Sequence, residues 1–192
     1  MPTVEHLKIE PQTGYRSQEV ALLVALLDDQ SALLAKDIAD ITPDELGWQP
    51  KPGMNTIGML LAHMPIVEVY WTKLALAGED KPKVDPVLGI ALEDDGMPNP
   101  EEGRPPATLA GKDVEFYRDL HRRSREYLRK MAAEVPDSDL ARELTRTRPN
   151  GTQRIYSIRW YFYHILEHFS GHYGQILLLR HLYKTVRVPA KA

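Results

Sequence analysis

Three histidines, His164, His168 and His172, recur at strict four-residue spacing in the run His164-Ile-Leu-Glu-His168-Phe-Ser-Gly-His172-Tyr-Gly-Gln175. In an α-helix each four-residue step rises about 6 Å and turns about 40° past a full revolution, so adjacent members of the row face the same way. One adjacent pair can grip a single ion. The first and third imidazoles lie about 12 Å apart along the axis and do not both reach it in relaxed rotamers. A second chain segment must therefore complete any metal site. Neutral imidazole is a common ligand for zinc and nickel, and three of them leave coordination positions for water or substrate, which is the pattern of a catalytic rather than a closed structural centre.

The chain has seven histidines. His6 lies in a polar terminus, His121 is followed by Arg122 and Arg123, and His181 falls near a helix end; these read as surface residues. His63, His168 and His172 sit amid apolar residues on the core side of expected helices and are the stronger candidates, against the plainer reading of core histidines satisfied by hydrogen bonds. There is no cysteine, so disulfides, Cys-based zinc sites and a protein thiol nucleophile are excluded. Any thiol chemistry uses a sulfur supplied by the substrate.

The elements that must position these residues read as helices. Val20, Leu23, Val24, Leu27, Leu33, Leu34, Ile38 and Ile41 recur with helical period behind the cap Ser17, predicting a helix over 18–40. Thr42 to Leu46 reads as one further turn before a loop in which Trp48 pins the chain to the core. Asn55 or Thr56 caps a second helix, carrying His63 and ended by Gly78, with Pro65 expected to kink it. Residues 79–107 are rich in Pro, Asp, Glu and Gly, with a short helix expected over 87–92. A third helix spans about 112–134 before Pro136, with Val114, Tyr117, Leu120, Leu128 and Met131 inward. Asn150-Gly151 suggests a small hairpin within 143–156, and Ser157 caps a fourth helix over 158–183. Trp160, Tyr161, Phe162 and Tyr163 cover all its sides, which suggests burial against both the bundle and a second subunit.

Composition bounds the rest. With 192 residues, 43% of them hydrophobic, the chain is most simply one soluble domain, 1–192, with a core over about 18–184 and terminal extensions 1–17 and 185–192. A formal charge of −3 argues against a nucleic-acid or membrane-surface binder. The polar N-terminus lacks a signal-peptide core, and the longest apolar run, Val20 to Leu27, is too short to cross a bilayer; a cytoplasmic location is the expectation. The charges of the third helix, Arg118 to Lys130 interleaved with Glu115, Asp119 and Glu126, read as an ion-paired solvent face. Arg142, Arg146, Arg148, Arg154 and Arg159 are less well balanced and form a candidate basic rim for an anionic substrate.

Two signatures carry a resemblance. The segment Trp48-Gln-Pro…Asn55-Thr-Ile-Gly-Met-Leu-Leu-Ala-His63…Val69-Tyr-Trp71, together with the helix-borne Glu167-His168…His172-Tyr-Gly-Gln175-Ile176, resembles the DinB/YfiT-like superfamily over about 20–183. The resemblance implies an all-α, up-down-down-up four-helix bundle with a long crossover between the second and third helices, often a homodimer. It also implies a divalent metal, nickel or zinc, on one histidine of the second helix and two of the fourth; carried over, these are His63, His168 and His172. His164 then falls one turn outside the trio, lining the pocket, unless it is a ligand in place of His172. Glu167 and Gln175 either orient an imidazole N–H, contact substrate, or sit in solvent or at a subunit contact. Glu68 is a candidate general base, with a partly exposed charge as the plainer alternative. Relatives imply transfer of low-molecular-weight thiols such as bacillithiol, mycothiol or glutathione, or metal-dependent hydrolysis. The rival is a non-catalytic stress-response or binding protein stabilised by its metal.

Overall fold

The architecture is that of a computed structural model, described for residues 7–147 and 150–187; His6, Arg148 and the outer parts of both terminal extensions lie outside the described residues. Four long helices form the body. Helix α1 (Gln18–Asp37) starts where the Ser17 hydroxyl accepts from the Val20 N–H, at 3.1 Å. Its last turn closes at Ile38, whose N–H reaches the Leu34 carbonyl, so the helix stops short of Asp40. The single turn α2 (Pro43–Gly47) is capped by Thr42. Helix α3 (Ile57–Ala75) is capped by Thr56, runs through Pro65 and ends before Gly78. Among the described residues no helix is long and apolar enough to cross a membrane.

Side-chain contacts fix the directions. Glu19 binds Arg159 near the starts of α1 and α6 (Ile158–Arg187), while Arg180, late in α6, binds Asp40 beyond the end of α1. These two helices therefore run parallel. Thr72, late in α3, bonds Tyr161, early in α6, at 2.7 Å, whereas His63, early in α3, meets His168 further along α6. Helices α3 and α6 are antiparallel. Along α5 (Val114–Ala132), Tyr117 abuts Gly58, His121 donates to the Leu61 carbonyl and Arg125 binds Glu68, so α3 and α5 advance together. The result is the expected up-down-down-up bundle, with the crossover between α3 and α5. Gly58 is required at that packing point: a Cβ there would fall 2.5 Å from the Tyr117 hydroxyl and 3.2 Å from the Leu46 carbonyl oxygen.

The core is built from both central helices and their flanks, with Ile57, Leu60, Leu61, Ile66, Leu120, Leu128, Tyr161 and Ile176 all essentially inaccessible. In the crossover the expected helix over 87–92 is displaced. Helix α4 (Asp85–Leu88) ends at Gly89, which takes φ 72, and a 3₁₀ turn at Leu92–Asp95 follows. Strands β1 (Glu143–Thr147) and β2 (Gln153–Ser157) form the anticipated antiparallel hairpin, from which Ser157 caps α6.

Two surface assignments are corrected. Arg125 is not on the solvent face of α5; it is 7% exposed and bridges Asp28 on α1 to Glu68 on α3. His121 is partly buried, with Nε2 3.0 Å from the Leu61 carbonyl, and burial together with the nearby Arg125 cation pushes its pKa down to about 4. The remaining charges of that run, Arg122 with Asp119 and Glu126 above all, are the ion-paired face the spacing indicated.

Candidate metal centre

Position 63 on α3 and positions 168 and 172 on α6 are brought together by the antiparallel packing of the two helices. The Nε2 atoms of His63 and His172 each lie 3.1 Å from Nε2 of His168, and one ligand atom from each residue falls within 4.8 Å of the others. The backs of two rings are fixed. Nδ1 of His63 lies 2.8 Å from Oδ2 of Asp95, and Nδ1 of His172 lies 2.7 Å from Oε1 of Gln175. An acceptor at Nδ1 places the proton there and leaves the Nε2 lone pair directed at the common point.

That arrangement does not satisfy itself. His168 has at most one proton to offer through Nε2, and two lone pairs face it. A shared proton cannot complete three nitrogens, whereas one electron-pair acceptor can. The donor set therefore fits a divalent cation of the zinc or nickel kind, with histidine nitrogens in front and oxygen acceptors behind. Electrostatics agree. Burial pushes the pKa of His168 down to about 3, with the neighbouring imidazoles His172, His63 and His164 adding to the effect. His172 is also lowered, by burial, against an opposing contribution from its bond to Gln175. Neutral imidazoles are the ligating form.

Asp95 is the functional residue that sequence reasoning missed. It is 2% exposed, sits in the crossover rather than on a long helix, and its other carboxylate oxygen accepts from the Met97 N–H at 2.9 Å. The only sequence trace of it is an acidic run of three, Glu93-Asp94-Asp95, ahead of Gly96.

The other sequence candidates are distributed around this point. His164 is outside the trio, with its ring 5.8 Å from that of His168 and stacked on Trp160 at 4.7 Å. Glu167 is exposed, and its nearest partner is Nδ1 of His164 at 3.4 Å. Glu68 is not brought to the trio. Its carboxylate is 3% exposed and accepts from Nε and Nη2 of Arg125 at 3.2 and 3.0 Å, so it is neither a partly exposed charge nor turned toward the histidines. His164 instead lines a cleft of about 1080 Å³ together with Tyr70, Trp71, Tyr156, Trp160 and residues of the β1–β2 hairpin. The basic rim divides: Arg146 and Arg154 line this cleft, Arg142 reaches the Ala75 carbonyl, and Arg159 is bound to Glu19.

The family model described as Mycothiol-S-transferase matches residues 22–185. This chain belongs to the mycothiol-S-transferase family. The match covers all four long helices except the outermost residues of α1 and α6, and it places the protein in the DinB/YfiT-like superfamily that the two sequence signatures indicated. Membership of the mycothiol-S-transferase family supports a thiol-transfer type of activity. No curated protein matches the chain.

Proposed function

We propose that this protein is a metal-dependent thiol S-transferase, joining a low-molecular-weight thiol to a small-molecule electrophile. Support comes from one observation above all: three imidazole nitrogens converge on one point, one helical turn from the cleft-lining His164, with two of the rings held from behind by Asp95 and Gln175. His63, His168 and His172 are the ligands in this reading, and nickel or zinc is the ion. Such an ion supplies Lewis acidity, which makes a thiol a stronger acid and its sulfur a ready nucleophile.

The chain's own residues do the rest. Asp95 fixes the ring and tautomer of His63 through Nδ1, and Gln175 does the same for His172. In the transfer the S–H bond breaks and a C–S bond forms; the electron pair displaced at the electrophile leaves with a departing group or, where the thiol adds to a C=C bond, takes up the proton at the neighbouring carbon. His164, between the trio and the cleft with Nδ1 toward Glu167, is placed to take the thiol proton. Glu68, held by Arg125, is not given that role. We read the chain as one domain over 1–192, acting as a cytoplasmic homodimer on small molecules, with neither nucleic acid nor membrane as partner.

The test begins with metal content by elemental mass spectrometry on tag-free protein, wild type against His168→Ala. Thiol consumption is then followed with monochlorobimane and, in turn, mycothiol, bacillithiol and glutathione. Near-stoichiometric nickel or zinc that disappears in the variant, with one thiol consumed only by the loaded wild type, supports the proposal. A wild type that takes up neither metal on incubation overturns it, and metal without any thiol turnover moves the reading to hydrolysis or to a non-catalytic metal protein.

A further inference from the structure

Two guanidinium groups face each other across the hairpin at the mouth of the cleft. The β1–β2 register sets Arg146 directly opposite Arg154 and Leu144 directly opposite Tyr156. Residues two apart on a strand share a face, so these four side chains belong to one face, and all four line the cleft beside Trp71 and Trp160. Like charges placed directly opposite on an antiparallel pair destabilise it. Here nothing in the fold relieves the conflict. Among the described residues neither Arg146 nor Arg154 makes an ion pair; Arg146 donates to the Tyr70 hydroxyl at 2.9 Å and lies over its ring, which fixes its position without neutralising it. Of the acids that line the cleft, Glu79 is paired with Lys73, while Asp80, next in sequence to Lys81, makes no ion pair among the described residues.

The wall beside this pair is aromatic. Trp71 and Trp160 meet edge to face at 5.7 Å, Tyr156 closes against both, and Trp160 stacks on His164. Both indoles are partly exposed to the cleft. A cleft with aromatic sides and two guanidinium groups at its lip, neither of them in an ion pair among the described residues, suits an apolar unsaturated molecule carrying a planar anion.

We infer that Arg146 and Arg154 form an anion clamp that binds a carboxylate on the electrophilic substrate, while the unsaturated body of that substrate packs among the aromatic side chains Trp71, Tyr156 and Trp160. The substrate class is therefore an unsaturated or aromatic carboxylic acid rather than a neutral electrophile. Its assignment as the thiol acceptor rests on the transferase reading; the clamp itself does not.

The test uses the metal-loaded protein as purified and two probes of the same shape, cinnamate and the neutral cinnamamide, titrated by calorimetry into wild type and the double variant Arg146→Gln, Arg154→Gln. Cinnamate is expected to bind the wild type about tenfold more tightly than the amide, and the variant to lose that preference through a roughly tenfold weaker cinnamate affinity. Amide affinity and metal content are expected to stay unchanged, and removing two opposed like charges leaves the hairpin at least as stable. Equal affinity for the two probes in wild type, an unchanged preference in the variant, or no binding of cinnamate at all would overturn the clamp. A carboxylate preference in a protein that never consumes thiol overturns the transferase reading alone. Thiol transfer with no carboxylate preference overturns the clamp alone.

Discussion

Five residues apart on α3, His63 and Glu68 both turn a polar side chain toward the interior, and the two are treated in opposite ways. Glu68 meets a resident cation: Arg125 comes from α5 and donates twice to its carboxylate, then spends its remaining Nη1 on Asp28. Every strong acceptor in that cluster has a donor. His63 meets a carboxylate from behind and two other imidazoles in front, so its outward lone pair faces groups that cannot all supply it with a proton. A closed ion pair holds helices in register. An open set of lone pairs holds a place for something that is not part of the chain.

The comparison breaks most visibly at His168. Its replacement by alanine is expected to abolish metal uptake, read by elemental mass spectrometry, and with it thiol turnover, while the fold keeps its circular dichroism. The contrasting change, Arg125→Met, leaves Glu68 buried without its partner and is expected to cost about 3–5 kcal/mol of stability in urea denaturation. The same experiment with Glu68→Gln added should recover much of that loss, and the folded fraction of either variant should still bind metal. If Glu68→Gln alone lowered turnover of fully folded protein while metal content held, the separation between structural pair and open site would fail.

A subtler change sharpens the difference. Asp95→Asn keeps a hydrogen-bond acceptor behind His63 but removes the charge; metal affinity is expected to fall about 10–100-fold with little change in stability, measured by competition with a chelator. The smallest effect concerns pH. His121 and His168 are held neutral in the fold, at about 4 and about 3 against an ordinary 6.5. The unfolded chain therefore binds more protons than the native one between those values. Stability of the metal-free protein is present above pH 6.5 and declines as pH drops toward 4, by at most about 1.4 kcal/mol per pH unit for each group. His121→Gln should flatten that decline by one group's share in urea midpoints taken at pH 7 and 5.

Periodicity and caps made the helical framework legible in the sequence. Ser17, Thr42, Thr56 and Ser157 each accept from a backbone N–H at the start of the helix they precede, because that pattern is local and needs no knowledge of the rest of the chain. The three histidines were legible for a mixed reason: the i, i+4 pair announces itself, and His63 stood out by its apolar surroundings on a helix, with the resemblance joining it to the pair. What escaped was decided by partners distant in sequence. Arg125 looks like its charged neighbours until α1 and α3 bring it Asp28 and Glu68. His121 follows the same logic, since its bond is to a carbonyl 60 residues away. Asp95 sits among breakers where no period exists to count, so only the folded crossover reveals that it stands behind His63. The expected helix over 87–92 failed for a local reason, the left-handed Gly89 in its midst.

The placement of Asp95 has an evolutionary consequence. In the metal reading proposed above, the three ligands are fixed by helix packing, and changing any of them destroys the centre. The carboxylate behind His63 instead rides on a crossover otherwise built of loops and short turns, the class of segment that tolerates insertion and drift. Selection can therefore retune the reactivity of the centre by altering one connecting segment, leaving both the bundle and the three imidazoles untouched. The same arrangement makes that segment a poor place for neutral change, since a slip of one residue near position 95 would part Asp95 from the His63 ring it holds.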